Sequence, residues 1–254
     1  MSKMIAVAGK GGTGKTTVSA FLVHYLENTG HTPILVVDAD PNYTLGEALG
    51  VEVEQTIGTM REEFFGERVK VPAGMSREAL LERNMHATLH EQKNYDLLVM
   101  GRQEGPGCYC YLNNILRKFT DTLASDYPWV VIDNEAGMEH LSRRNTRKID
   151  LLLVVADHTI KGARAARRIV ELADELELDV RDQALILNRT PSEIAPEVKE
   201  EIEKSGLRIF AQLPPDEQVA EADAKGEPLT NIPSDNPIIQ ALDKAFSAWL
   251  QKSP

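Results

Sequence analysis

Residues 9–16, GKGGTGKT, have a glycine, four residues, then Gly-Lys-Thr, which is the spacing of a phosphate-binding loop. The glycines Gly9, Gly11, Gly12 and Gly14 let backbone N–H groups turn inward around phosphate oxygens. A helix starting just after them adds positive potential at the same place. Lys15 supplies a cation for the β- and γ-phosphates, and the Thr16 hydroxyl is a hard oxygen ligand suited to Mg²⁺. The run 9–17, with Lys10, Thr13 and Thr17 completing it, is expected to hold a nucleoside triphosphate.

Two aspartates downstream fit the same site. Asp38 ends the apolar run PILVVD and Asp133 ends WVVID. In open parallel sheets, ligands bind beyond the carboxyl ends of the strands, which is where both would lie. A lone aspartate at a strand end is ordinarily a helix cap or a solvated turn residue. Two of them, each closing an apolar run downstream of a phosphate loop, point instead to a magnesium–nucleotide site.

GPGCYC, residues 105–110, holds Cys108 and Cys110, the only two cysteines in the chain. A disulfide across one intervening residue strains the bond's preferred geometry. Two thiolates in a turn suit a soft metal but fill only half of a tetrahedral site. A turn of Gly, Pro and Gly is a poor place for two thiols that merely pack in a core. His86 and His90 lie four apart in a helical pattern, a spacing that would align them on one face, but their charged surroundings read as a solvated surface. His140, in AGMEH, has no assigned role.

Near-continuous apolar runs of strand length position these residues: 3–9, 33–40, 95–101, 129–134, 151–157, 184–188 and 207–213. Helical patterns lie between or after them, at 15–28, 76–92, 112–124, 160–177, 195–204 and 237–251. That alternation predicts an α/β fold, a mostly parallel sheet with helices on both faces. One domain is expected over residues 1–254, with a helical surface insertion around 52–93. The amphipathic stretch NPIIQALDKAFSAWLQKSP is read as a helix packed on the sheet, since only two lysines accompany its apolar residues.

The chain of 254 residues is 42% hydrophobic and 26% charged, the balance of a globule with a sizeable core. No apolar run reaches the roughly 18 residues of a spanning helix. A net charge of −11 disfavours broad binding to nucleic acid or anionic lipid, so neither is expected as a partner. Cysteines too few for a disulfide framework, and the lack of a long apolar leader, make the cytoplasm the expected compartment.

With Lys10 second in the loop, KGGTGKT resembles the deviant Walker A signature of the family that includes MinD, ParA and the nitrogenase iron protein. The resemblance implies that Lys10 crosses a dimer interface to reach the partner's nucleotide, where a cation stabilises the transferring phosphoryl group. It makes VVDADPN the first switch, with Asp38 binding Mg²⁺ through water and Asp40 orienting the attacking water. VVIDNEAG resembles the Walker B strand and second switch, which gives Asp133 a supporting magnesium role. Asn188, ending LILN, resembles the adenine-reading asparagine, and LPPD, with Pro214 and Asp216, the adenine-contact loop that follows.

GPGCYCYLNN together with DNEAGMEHLSRR (133–144) is similar to the CooC-type ATPases that help insert nickel into carbon monoxide dehydrogenase. The implied reading is an ATP- and Mg²⁺-dependent homodimer with slow, dimer-dependent hydrolysis. Four thiolates, Cys108 and Cys110 from each subunit, would share Ni²⁺, with Zn²⁺ possible in its place. Its client would be carbon monoxide dehydrogenase or a related nickel enzyme. Two alternatives stand beside it, a positioning ATPase of the MinD or ParA kind and an iron–sulfur cluster carrier. The iron–sulfur scaffolds usually carry Cys-X-X-Cys near the C-terminus, and this sequence has none there.

Overall fold

All seven apolar runs picked out in the sequence are strands of one eight-stranded sheet. The structure, a computed structural model, describes residues 2–65, 71–102, 121–135 and 148–252. In chain order the strands are β1 (Lys3–Gly9), β2 (Ile34–Asp38), β3 (Leu89–Glu91), β4 (Tyr95–Val99), β5 (Trp129–Asp133), β6 (Lys148–Ile149), β7 (Leu151–Asp157), β8 (Asp179–Val180), β9 (Gln183–Asn188) and β10 (Arg208–Gln212). The main sheet runs β10-β9-β7-β1-β5-β2-β4-β3, while β6 and β8 form a separate two-stranded ladder. Every neighbouring pair is parallel except β3 with β4.

Helices cover both faces, as a parallel sheet requires. They are α1 (Lys15–Asn28), α2 (Leu45–Leu49), α3 (Ile57–Phe65), α4 (Arg77–His86), α5 (Ile160–Glu175), α6 (Pro196–Ser205), α7 (Glu217–Lys225) and α8 (Pro237–Lys252). Successive side chains of a strand point to opposite faces, and β1 shows the consequence. Met4, Ala6 and Ala8 join one core cluster with Leu81 and Met85 of α4 and Ala166 and Ile169 of α5. Ile5 and Val7 join the other, with Leu22 and Leu26 of α1 and Leu242 and Phe246 of α8. Each of the Leu, Ile, Val, Met and Phe side chains among these contributes about 1.5–3 kcal/mol by leaving water. The apolar side of α8 is thus committed to the core, where Phe246 stacks on Tyr25 with ring centroids 5.4 Å apart.

The stretch 52–93 differs from a purely helical segment. It holds α3 and α4, whose Ile57, Met60, Phe64, Leu80, Leu81 and Met85 are buried in the core, and it ends in β3. The helical pattern of 76–92 stops at His86 because Leu89, His90 and Glu91 pair with Leu98, Leu97 and Asp96 of β4. Backbone hydrogen bonds to an otherwise open sheet edge take the place of another helical turn. His86 therefore ends a helix and His90 sits on a strand, so the two do not share a helix face; His90 Nε2 instead meets the Gln55 carbonyl at 3.0 Å. The pattern at 112–124 is described only from residue 121, and residues 121–126 are helical. Helix α7 and the two-residue strands β6 and β8 carried too few periodic residues to be read from the sequence.

Candidate nucleotide site

The loop from Gly9 to Gly14 joins the carboxyl end of β1 to the start of α1, at the centre of the sheet. Gly9 is the register partner of Val155 on β7, and a Cβ there would run into the Val155 carbonyl. Gly14 precedes α1 with φ 92° and ψ 29°, a left-handed conformation that glycine adopts without penalty. No side chain caps α1 and its first turn holds no acidic residue, so its amino end is left to attract an anion. Thr13 closes the loop on itself: its Oγ1 donates to the Lys10 carbonyl at 2.8 Å. Lys15 is buried at 8% exposure, whereas Lys10, Gly11 and Gly12 are exposed. Lys15 is thus enclosed at the start of α1, whereas Lys10 is presented to solvent from the loop.

The acidic side of the site lies one and two strands over, on β5 and β2. Asp38 and Asp133 are register partners at the ends of β2 and β5, 0% and 1% exposed. Thr16 Oγ1 donates to Asp133 Oδ2 at 2.8 Å, and Ser19 Oγ donates to Asp133 Oδ1 at 3.1 Å. Asp38 accepts from the backbone N–H of Asp40 at 3.1 Å and of Leu45 at 2.9 Å. Burial pushes the Asp38 carboxyl up to about 7, with the Asp133 charge adding to the rise and the two backbone N–H groups opposing it. Burial likewise lifts Asp133 to about 6, against the Thr16 hydrogen bond, the Lys15 charge and the Ser19 hydrogen bond. Asp40 is half-buried and accepts from Asn42 N at 2.9 Å, which holds the turn that follows β2.

A hydroxyl and two buried carboxylates beside a phosphate loop are hard oxygen donors, so these residues fit Mg²⁺. Thr16, Asp38 and Asp133 would hold it. Two carboxyls whose charged forms are disfavoured by burial, and for Asp38 also by the Asp133 charge, are what a divalent cation would relieve. Among the described residues no cluster of three or more His, Cys, Asp or Glu offers a separate metal site.

On the far side of the loop, β9 delivers Asn188. Its Nδ2 donates to the Thr13 carbonyl at 2.8 Å, and its Oδ1 accepts from Arg189 N at 2.9 Å. Leu213 N bonds the Leu187 carbonyl and Thr190 N the Leu213 carbonyl, each at 2.8 Å, which brings half-buried Pro214 beside the end of β9. Asp216 caps α7 through Val219 N at 3.0 Å and accepts from Asn236 Nδ2, also at 3.0 Å. Lys10, Lys15, Thr16, Asp38, Asp40, Asp133 and Asn188 therefore all sit at the carboxyl ends of the strands. Cys108, Cys110 and His140 lie outside the described residues.

Three residues join this site that sequence reasoning did not single out. Ser19, fully buried one turn into α1, holds the second oxygen of Asp133. Asn134, 1% exposed, donates to the Val7 carbonyl at 3.0 Å and leaves its own Oδ1 without a partner among the described residues. Arg189 donates to the Gly12 carbonyl. Ser19 carried a readable signal, being three residues beyond Thr16 on one helix face; the other two carried none.

A central parallel strand, a phosphate loop, a helix amino end and two strand-end carboxylates together define a P-loop nucleoside triphosphatase, and this one is an ATPase. Residues 4–229 match the CobQ/CobB/MinD/ParA nucleotide-binding domain, and the chain belongs to that family. An uncharacterized ATP-binding protein of Methanocaldococcus jannaschii is 45% identical over 251 residues, covering 98% of this chain and 99% of that protein. The carbon monoxide dehydrogenase accessory protein CooC of Rhodospirillum rubrum is 30% identical over 190 residues, 68% of this chain and 69% of that one. The fold is that of the Aquifex aeolicus MinD cell division protein, with a TM-score of 0.70 at 21% identity over 100% of this chain and 98% of that one. No helix among the described residues is long and apolar enough to cross a membrane.

Proposed function

We propose that this ATPase is a metallochaperone, which carries nickel between two subunits on Cys108 and Cys110 and helps to insert it into carbon monoxide dehydrogenase or a related nickel enzyme. The observation that carries the reading is the Cys-X-Cys pattern of GPGCYC within a chain of this ATPase family. Two cysteines per chain leave a tetrahedral or planar S₄ site half filled, and a two-fold dimer completes it. The CooC similarity supports the client class.

ATP would bind with its phosphates in the loop 9–16, against Lys15 and the amino end of α1. Magnesium bound there would draw negative charge from the β- and γ-phosphates. Asp40 orients a water toward the γ-phosphorus, and that water's oxygen bonds phosphorus as the bridge to the β-phosphate breaks. Lys10, exposed on the loop, reaches across to the partner's phosphates and stabilises the charge that develops. Loss of the γ-phosphate removes that cross-subunit contact, so the dimer opens and the metal is handed on.

A metal titration of the reduced protein tests this. The expected stoichiometry is one nickel per two chains, with sulfur-to-metal charge-transfer absorption, lost in Cys108→Ser and in Cys110→Ser while ATP binding stays. One metal per chain, indifferent to either substitution, overturns it. The positioning-ATPase reading would instead want a basic face or an amphipathic anchor, and the apolar side of α8 is buried in the core. ATP-dependent co-sedimentation with anionic vesicles would favour that second reading.

A further inference from the structure

Two consecutive residues at the end of β9, Asn188 and Arg189, donate to two consecutive carbonyls of the phosphate loop, those of Thr13 and Gly12. An extended chain would not allow this, because adjacent side chains of a strand point to opposite faces. Arg189 has φ 51°, in the left-handed region that residues with a Cβ rarely enter. That reversal turns its side chain to the loop side, next to Asn188. Backbone strain of this kind persists only where the surroundings enforce it, and here three bonds do. Asn188 Oδ1 takes Arg189 N at 2.9 Å, Arg189 takes the Gly12 carbonyl, and Thr190 N takes the Leu213 carbonyl at 2.8 Å.

The effect on the loop follows from peptide geometry. Carbonyl and N–H point opposite ways across a trans peptide. A Thr13 carbonyl drawn toward β9 therefore aims the Gly14 N–H away from β9. Gly14 leaves room for that contact: a Cβ there would meet the Asn188 amide that does the pulling, and its φ of 92° is one that glycine adopts without strain.

We propose that Asn188 and Arg189 act as a clamp on the phosphate loop, positioning residues that hold its peptide units ready for the polyphosphate whatever base is attached. This deepens the ATPase reading and rests on it. It also gives Asn188 a task other than reading adenine, since one N–H of its amide and its oxygen are already engaged inside the protein.

Inorganic tripolyphosphate with Mg²⁺, a ligand that has phosphates and no base, separates the two tasks. Its binding and that of ATP would be measured by calorimetry for wild type, Asn188→Ala, Arg189→Ala and Arg189→Lys. The clamp predicts that both ligands weaken about tenfold in the two alanine variants, the scale of one lost hydrogen bond to a charged group. Arg189→Lys, which keeps a donor, should recover part of the loss for both ligands. Melting of the nucleotide-free variants checks that they fold; if an alanine variant does not, Arg189→Lys and Asn188→Asp, which removes the Nδ2 donor and keeps the acceptor, carry the test. Loss for ATP alone, with tripolyphosphate binding unchanged, would assign these residues to the base and overturn the clamp, as would no loss for either ligand. Wild type that bound neither ligand, or bound them equally as Lys15→Ala, would instead overturn the nucleotide site itself.

Discussion

Asp38 and Asp133 are register partners at the carboxyl ends of adjacent parallel strands, so the fold sets two buried carboxyls side by side beneath a phosphate loop. Their surroundings disfavour two negative charges there, and burial has raised both pKa values. The pair thus costs stability, and a cation bound beside it would relieve that cost.

A pH dependence follows with a definite sign. Asp38 has a folded-state value of about 7 against an ordinary 3.8. Its contribution to stability is present below the ordinary value and is lost as pH rises through about 7. In chelator, wild type should lose on the order of 1 kcal/mol relative to Asp38→Asn between about pH 6 and about pH 8. Mg²⁺ with ADP should shrink that difference. Urea unfolding at several pH values measures it, and parallel pH curves for the two proteins would refute it.

Ser19→Ala should destabilise by about 1–3 kcal/mol, because a buried oxygen of Asp133 loses its donor. In an Asp133→Asn background the same change should cost clearly less, since the two residues interact directly. A double-mutant cycle by denaturant unfolding reads the coupling. Full cost in both backgrounds would mean that Ser19 matters for packing alone.

Binding and hydrolysis should come apart at the two lysines. Lys15→Ala should lose ATP affinity, as the buried cation inside the loop goes. Lys10→Ala and Asp40→Ala should keep much of the binding and lose most of the turnover, because in the proposed mechanism each would act chiefly on the transition state. Phosphate release with excess ATP is the measurement. Wild-type turnover in Lys10→Ala would rule out a lysine acting across the interface.

The oligomeric state should respond to the γ-phosphate. In Asp40→Ala, ATP with Mg²⁺ should raise the mass toward a dimer and ADP should do so less, since in the proposed mechanism uncleaved ATP would keep Lys10 engaged. Metal should favour the same dimer, and the dimer should raise metal affinity by the same factor. Light scattering after size exclusion, with and without nickel, reports both. A mass unchanged by ATP at every metal loading would sink the closure step.

What the sequence determined by itself were the features set by local order. The seven strands followed from apolar runs too continuous for a half-exposed sheet. The phosphate loop followed from glycine spacing, because close backbone approach to phosphate leaves little choice of residue. Helix α8 and its buried face were legible for the same kind of reason, a period that any helix must obey. Tertiary structure decided what depends on distant partners. Residues 87–91 continue a helical pattern, yet the open edge of β4 offers hydrogen bonds that the sequence does not announce, so 89–91 became a strand and parted His86 from His90. The alignment of Asp38 with Asp133 is a matter of strand register, invisible in either run alone. Arg189 reaches Gly12 across 177 positions of chain, and only a left-handed turn at the end of β9 brings it there. Spacing along the chain specifies which residues share an element, whereas contact between elements is settled by the hydrogen bonds and packing that the whole fold satisfies at once.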